Sequence, residues 1–166
     1  MIDGYARALT LVAALGVGLV AGVFFAFSTF VMAALGRLPA AQGIAAMQAI
    51  NTEAPTPRFM TALFGTAVVC VALAVSACGR LGKPAGLGKP AAAYQLIGSV
   101  LYLAGTVVTM AYHVPRNDAL ALADPTASGA AADWTRYRAG WTAWNHVRTL
   151  TSLAGALALT LALRAD

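Results

Sequence analysis

The chain is predicted to be all-α: a four-transmembrane-helix bundle with a short interfacial helix in its first loop, one domain over residues 1–166. Three observations predict this. Residues are 60% hydrophobic and only 10% charged, where soluble domains carry roughly 25% charged residues. The apolar residues gather into runs long enough for a hydrocarbon layer, with the charges between the runs. Polar residues inside the runs recur at helical spacing. The net charge of +5 sits in loops beside apolar segments, so it speaks of membrane orientation. No basic run interleaved with aromatics lies outside residues 133–149, which argues against a nucleic-acid partner.

The first span covers about residues 8–35. It is too long for the roughly 7–15-residue core of a signal peptide. Gly18 and Gly22 form a G-x-x-x-G, which admits a close neighbouring helix. Phe24, Phe25, Phe27 and Phe30 read as lipid-facing or packing residues rather than a ligand wall. In the first loop, Leu38-Pro39 starts an Ala-rich helix to about Ile50, with Ile44, Met47 and Ile50 on a common face suited to the interface. Asn51-Thr52-Glu53 ends it, and Pro55 and Pro57 prevent continuation.

The second span is about residues 59–78. Its Cys70 and Cys78 would lie about 12 Å apart along one helix, too far for a disulfide, and read as small apolar residues. The following loop holds Arg80, Lys83, Lys89 and two Gly-Lys-Pro triplets. It has linker composition and lacks the pattern of a phosphate-binding loop. The third span, about residues 91–112, carries a stripe of Gln95, Ser99, Tyr102, Thr106, Thr109 and His113. Such a stripe should face protein or a wet cavity rather than lipid. Pro115 is expected to break the helix. Residues 119–132 form a small-residue loop, and about residues 142–163 form the fourth span, with Arg164 as a snorkelling anchor.

Four spans put both termini on one side of a multi-pass protein of the inner membrane. Lysine and arginine number five on each side. The densest short basic loop lies between spans two and three, which favours cytoplasmic termini. The first and third loops then share the other face with the start of the fourth helix.

That helix start, residues 133–149, holds all three tryptophans. Trp134, Tyr137, Trp141, Trp144, Asn145 and Arg148 fall within an arc of about 100°. The Arg148 face continues through Ser152 and Gly155, small residues suited to a bundle interior. An inward Arg148 offers a permanently charged donor fork to an oxyanion or an acidic partner. The alternative is an interfacial arginine on lipid headgroups within an aromatic belt. His146 shares its face with Leu150, Leu153 and Leu157, opposite Arg148. Either it meets a neighbouring helix or loop, or the helix start is distorted near Gly140. His113, at the end of the stripe, is the better-placed imidazole. A metal site using Glu53 has no supporting His-x-x-x-His or Glu-x-x-His, so no metal ligand is assigned.

The segments G-V-F-F-A-F-S-T-F-V-M (22–32), M-Q-A-I-N (47–51), V-P-R-N (114–117) and W-x-x-Y-x-x-x-W-T-x-W-N-H-V-R-T (134–149) resemble the anthrone oxygenase-like (DUF1772) membrane proteins over nearly the whole chain. The resemblance implies four transmembrane helices and oxidation of anthrones to anthraquinones with O2 as co-substrate and no recognised cofactor. Metal or haem is left open. Asn51, Pro115, Asn117, Trp134, Tyr137, Trp141, Trp144, Asn145, His146 and Arg148 match its motifs. His113, Arg116 and Thr52-Glu53 depart from them. An anthrone site needs a base, an oxyanion stabiliser and flat walls. His146 or His113 is the candidate base, and Arg148 and Asn145 are the oxyanion donors. Trp141, Trp144 and Tyr137 are the walls, with Trp134, Asn51, Asn117 and Tyr102 as further substrate contacts. The alternative is a non-catalytic membrane module that binds a lipid, quinone or partner protein through its Trp/Arg face. Expected partners are membrane lipids and a small aromatic or lipid-like ligand; a homo-oligomer is compatible. A transporter lacks support, with no internal repeat or deep charge.

Overall fold

The computed structural model describes residues 4–82 and 89–165. Among these the only regular elements are helices: α1 (Gly4–Ala26), α2 (Met32–Leu35), α3 (Ala40–Glu53), α4 (Pro57–Met60), α5 (Thr66–Leu81), α6 (Lys89–Val108), α7 (Val114–Ala121) and α8 (Ala130–Ala162). Wider π-helical turns at Phe27–Val31, Thr61–Gly65 and Thr109–His113 join α1 to α2, α4 to α5 and α6 to α7. Three continuous helical stretches are therefore long and apolar enough to cross a membrane: Gly4–Leu35, Pro57–Leu81 and Pro90–Ala121. α8 is continuous for 33 residues, about 50 Å at 1.5 Å per residue. Only its C-terminal part, residues 150–162, is apolar.

The interior and exterior are assigned as lipid demands rather than as water does. Leu15, Leu19, Val68, Val75, Ile97 and Val107 are exposed, while Thr10, Gln95, Ser99, Asn145 and Ser152 are fully buried. Large apolar side chains facing hydrocarbon cost nothing, and Thr10, Gln95 and Asn145 find hydrogen-bond partners inside. α8 packs along α1 and α6, and α5 packs along α6 and α1. One core cluster gathers Val17, Val20, Phe24, Leu63, Leu73, Tyr102 and Leu159. A second, toward α3, gathers Met32, Ile44, Met47, Leu120, Trp134, Tyr137 and Trp141.

The glycines that permit close packing are not the expected pair. A Cβ at Gly155 would sit 2.9 Å from the Gly98 carbonyl oxygen, so α6 and α8 meet backbone to backbone. A Cβ at Gly18 or Gly22 would meet nothing within 4 Å. Those two glycines face outward because the α1 face that packs is the one carrying Ala13, Val17 and Val20.

Pro115 does not break the third segment. It lies in the first turn of α7, directly after the Thr109–His113 π-turn, where a missing backbone donor is tolerated. α3 continues through Glu53, so Asn51 projects from a helix rather than ending one. The stripe from Gln95 to His113 faces inward, with Gln95, Ser99, Tyr102 and His113 at most 1% exposed. At the end holding the termini, Gln95 donates to Thr10 Oγ1 at 2.7 Å and accepts from Arg80. Most of the expected Gly-Lys-Pro loop, residues 83–88, lies outside the described residues.

Candidate functional site

The site begins with one buried charge. Arg148 is 6% exposed. Its Nε donates to Asn145 Oδ1 at 2.8 Å and its Nη1 to Thr109 Oγ1 at 3.3 Å. The guanidinium carbon lies 4.1 Å from the Phe24 ring centre and 5.1 Å from that of Trp141. Stacking on aromatic faces offsets part of the desolvation of the charge. Among the described residues the only ion pair is the exposed Arg136–Asp133 pair. The buried guanidinium thus has no carboxylate partner, and Nη2 has no hydrogen bond to a described residue.

Asn145 fixes Arg148 from behind. Its Nδ2 donates to the Phe24 carbonyl at 2.8 Å and to Ser28 Oγ at 2.6 Å. Ser28 in turn meets Thr149 Oγ1 at 3.0 Å. Asn145 therefore holds the arginine and does not itself line the cavity in front of it.

That cavity has a volume of about 280 Å³, near the lower end of the roughly 300–1,000 Å³ of small-molecule sites. Arg148, Thr109, His113, Trp141, Phe24 and Phe27 line its bundle side. Met47, Ile50 and Asn51 of α3 and Asn117 of α7 cover it from the loop face, and Phe59, Met60, Leu63 and Phe64 close the α4–α5 side. Each of the three π-turns contributes to this one cavity: Phe27, then Leu63 and Phe64, then Thr109, Met110 and His113. π-turns inside α-helices occur frequently at functional sites. Backbone carbonyls at or beside them receive side chains here, Phe24 from Asn145 and Leu63 from the Tyr102 hydroxyl at 2.8 Å.

His113 is edge-on to Trp141, 4.9 Å between ring centres. Its Nδ1 lies 3.4 Å from the Val108 carbonyl oxygen and its Nε2 3.3 Å from that of Trp141. A neutral imidazole donates from one nitrogen only, so the other keeps a lone pair. Asn117 Oδ1 accepts from Tyr137 Oη at 2.9 Å and from Trp141 Nε1 at 3.0 Å. Those bonds fix the Trp141 indole in the cavity wall. Asn51 Nδ2 is buried without a partner.

A model of the protein family described as anthrone oxygenase matches residues 57–158. The chain belongs to the anthrone oxygenase family. No curated protein and no solved structure matches it. In this family member the cavity gathers His113, Arg148, Trp141, Asn51 and Asn117 from the residues expected on sequence. Tyr137 and Asn145 stand one hydrogen bond behind it.

Four other expected residues lie elsewhere. His146 is exposed on the opposite flank of α8, beside Ser28, Met32 and Arg138. α8 is continuous through Gly140, so nothing turns His146 toward Arg148. Trp144, at the edge of the arc, is 42% exposed and packs on Tyr112 at 5.2 Å. Trp134 stacks on Tyr137 at 5.6 Å and lines a separate depression with Arg116 and Asp133. Tyr102 is buried in the core, and its hydroxyl is spent on Leu63.

Sequence reasoning missed Phe24 and Phe27 as cavity wall. The signal was present: they are three apart and share a face, whereas Phe25 and Phe30 are 51% and 61% exposed. Met47 and Ile50, which share the α3 face expected at the interface, also line the cavity, while Met60 and Met110 had no distinguishing signal. Among the described residues no three of His, Cys, Asp and Glu gather as a metal site would require.

Proposed function

We propose that this protein is a membrane oxygenase of flat aromatic substrates, anthrone- or hydroquinone-like, using O2 directly. The observation that carries the reading is the buried Arg148 without an acidic partner, facing an aromatic-lined cavity. In a site of low polarity such a charge is matched by an anion from the ligand.

On this reading His113 removes a proton from the ring methylene, and the electron pair delocalises onto the ring-carbonyl oxygen as an aromatic enolate. Arg148 Nη2 donates to that oxygen. The carbanion then forms a C–O bond with O2. The resulting peroxide takes a proton back, and loss of water breaks the O–O bond and the second C–H bond to leave the quinone carbonyl. Substrate and one O2 yield quinone and one water. The base is the ring nitrogen that carries no proton in the neutral imidazole, and it turns from its backbone carbonyl toward the substrate to take the proton. Trp141, Phe24 and Phe27 hold the rings, and Asn145 and Thr109 hold the guanidinium.

The reading includes four membrane spans, with α8 as the fourth. The lipid-like exposure of Leu153 and Leu157 on its apolar part supports this. The first and last described helices begin and end at one end of the bundle, where Gly4, Arg7, Ala8 and Leu11 share a depression with Leu163. We place that end in the cytoplasm and the protein in the inner membrane.

The test is O2 consumption and quinone formation by purified protein with a hydroxylated anthrone. Turnover above the spontaneous rate, at one O2 per quinone and lost in Arg148→Ala and His113→Ala, supports it. A rate equal to the spontaneous one overturns it. A second reading, a membrane module that binds a quinone without turning it over, is favoured by the two carbonyls flanking His113, which can hold the imidazole as a structural group. Ligand binding without O2 uptake would select it.

A further inference from the structure

One side of the cavity reaches the outer surface of the helices through large apolar side chains. Phe64, Met110 and Val114 line it and are at the same time 39%, 49% and 37% exposed on the outer surface of the helices. No other part of the wall combines cavity lining with exposure of large apolar side chains on two different helices. The loop face is covered by α3, whose Met47 is 1% exposed, and is exposed only at Ala54 and Pro55, which carry no large apolar side chain. Phe64 belongs to the Thr61–Gly65 π-turn, and Met110 to the Thr109–His113 π-turn. A π-turn bends and widens its helix, so the α4–α5 and α6–α7 segments flank a gap here.

The depth of this gap fixes what reaches it. Phe64 lies about 25 Å along its helix from Leu81, and Met110 about 30 Å from Pro90, at 1.5 Å per residue. A hydrocarbon layer is about 30 Å thick. The gap therefore opens at the edge of that layer, at the end of the protein away from the termini. Amphipathic aromatic rings, with an apolar body and a polar rim, collect at this depth.

We propose that the ligand enters sideways from the bilayer, between Phe64 on one helix and Met110 and Val114 on the other, and that the ligands taken are planar phenolic polycycles dissolved in the membrane interface. This rests on the aromatic-ligand reading above and adds the route and the phase from which the substrate comes. Arg148 then meets the polar rim as the rings slide past Trp141. The three portal residues control passage and make no contact with reacting atoms.

The test uses full-length protein in vesicles with Trp134 and Trp144 replaced by Phe, leaving Trp141 in the cavity wall as reporter. Stopped-flow quenching by a dihydroxyanthraquinone is read in this background and after Met110→Phe with Val114→Phe. Both changes keep apolar side chains at exposed positions, and retained unfolding temperature is the check on folding. The expected result is association and dissociation each slowed at least tenfold, with affinity changed less than threefold. Unchanged rates overturn the portal, as does weakened affinity at an unchanged association rate. Met47→Phe, on the loop face, is the control; if it alone slows association, entry is from water and the portal is overturned.

Trp141 quenching by lipids brominated along the acyl chain reads the portal without the dye. Quenching that falls on Met110→Phe with Val114→Phe supports an opening to lipid, and quenching absent from the parent overturns it. Absence of dye binding alongside lipid quenching would remove the aromatic-oxygenase reading and leave the opening standing.

Discussion

Arg148 Nε donates to Oδ1 of Asn145, one helical turn earlier, at 2.8 Å, and both side chains are buried. Asn145 ties the guanidinium to the α1 backbone through the Phe24 carbonyl, and to Ser28 in the π-turn that follows. Asn145→Leu leaves Nε and that carbonyl without their partner, which costs about 2–4 kcal/mol for the charged and neutral groups together. Asn145→Asp keeps an acceptor for Nε but supplies a carboxylate that competes with any anionic ligand. The expected outcome is a marked stability loss for Leu only, and at least tenfold weaker binding of an ionised hydroxyanthraquinone for Asp. Thermal unfolding in detergent and a fluorescence titration check the two halves.

Arg148→Met separates stability from activity. A buried charge without a counter-ion is maintained at the expense of stability, because desolvating an ion costs several kcal/mol, so an apolar side chain of similar length removes that cost. Thr109 and Asn145 lose a donor each, which offsets part of that gain. We expect an unfolding temperature equal to or above that of the parent, together with a loss of oxygenase turnover of about 10²–10³-fold, the usual scale for removing an oxyanion donor. Equal loss of stability and turnover would mean the arginine is structural.

Part of this arrangement is legible in the amino-acid sequence. The inward aim of Arg148 was legible because Ser152 and Gly155 continue its face, and the inward stripe on α6 because Gln95, Ser99 and Tyr102 repeat at helical spacing. The π-turns were not legible, because an extra residue in a turn leaves no compositional mark. They carry Pro115 into a tolerated position, set Thr109 beside Arg148 and bring His113 to the Val108 carbonyl. The aromatic arc was legible as well: residues 133–149 read as the start of the fourth helix, and α8 runs through them into its apolar half without a break.

The two histidines provide a direct comparison. His113 lines the cavity and is 1% exposed, whereas His146 is exposed on the other flank of α8. A positioned general base contributes about 10²–10⁴-fold. We expect His113→Ala to lose at least 10²-fold in kcat and His146→Ala to change it less than twofold. Steady-state O2 uptake at saturating anthrone, for both variants side by side, is the measurement. The reverse order would require α8 to rotate by about half a turn and would overturn the site as described.

The glycines test the packing that positions the whole site. Gly155 on α8 and Gly98 on α6 approach so closely that a methyl group at Gly155 would stand 2.9 Å from the Gly98 carbonyl oxygen, with the α6 backbone at Tyr102 also within 3.5 Å. Backbone atoms cannot swing aside, so Gly155→Ala forces α6 and α8 apart, with a cost of about 1–3 kcal/mol as for other overpacked interiors. The same movement carries Arg148 away from Thr109, because Arg148 lies about two turns from Gly155 and Thr109 about three turns from Gly98 along the same two helical segments. At Gly18 and Gly22 a methyl group meets nothing, and alanine there should change stability by less than about 0.5 kcal/mol. Unfolding in mixed detergent micelles measures both, and O2 uptake by the surviving Gly155→Ala protein should be reduced more than its folded fraction accounts for.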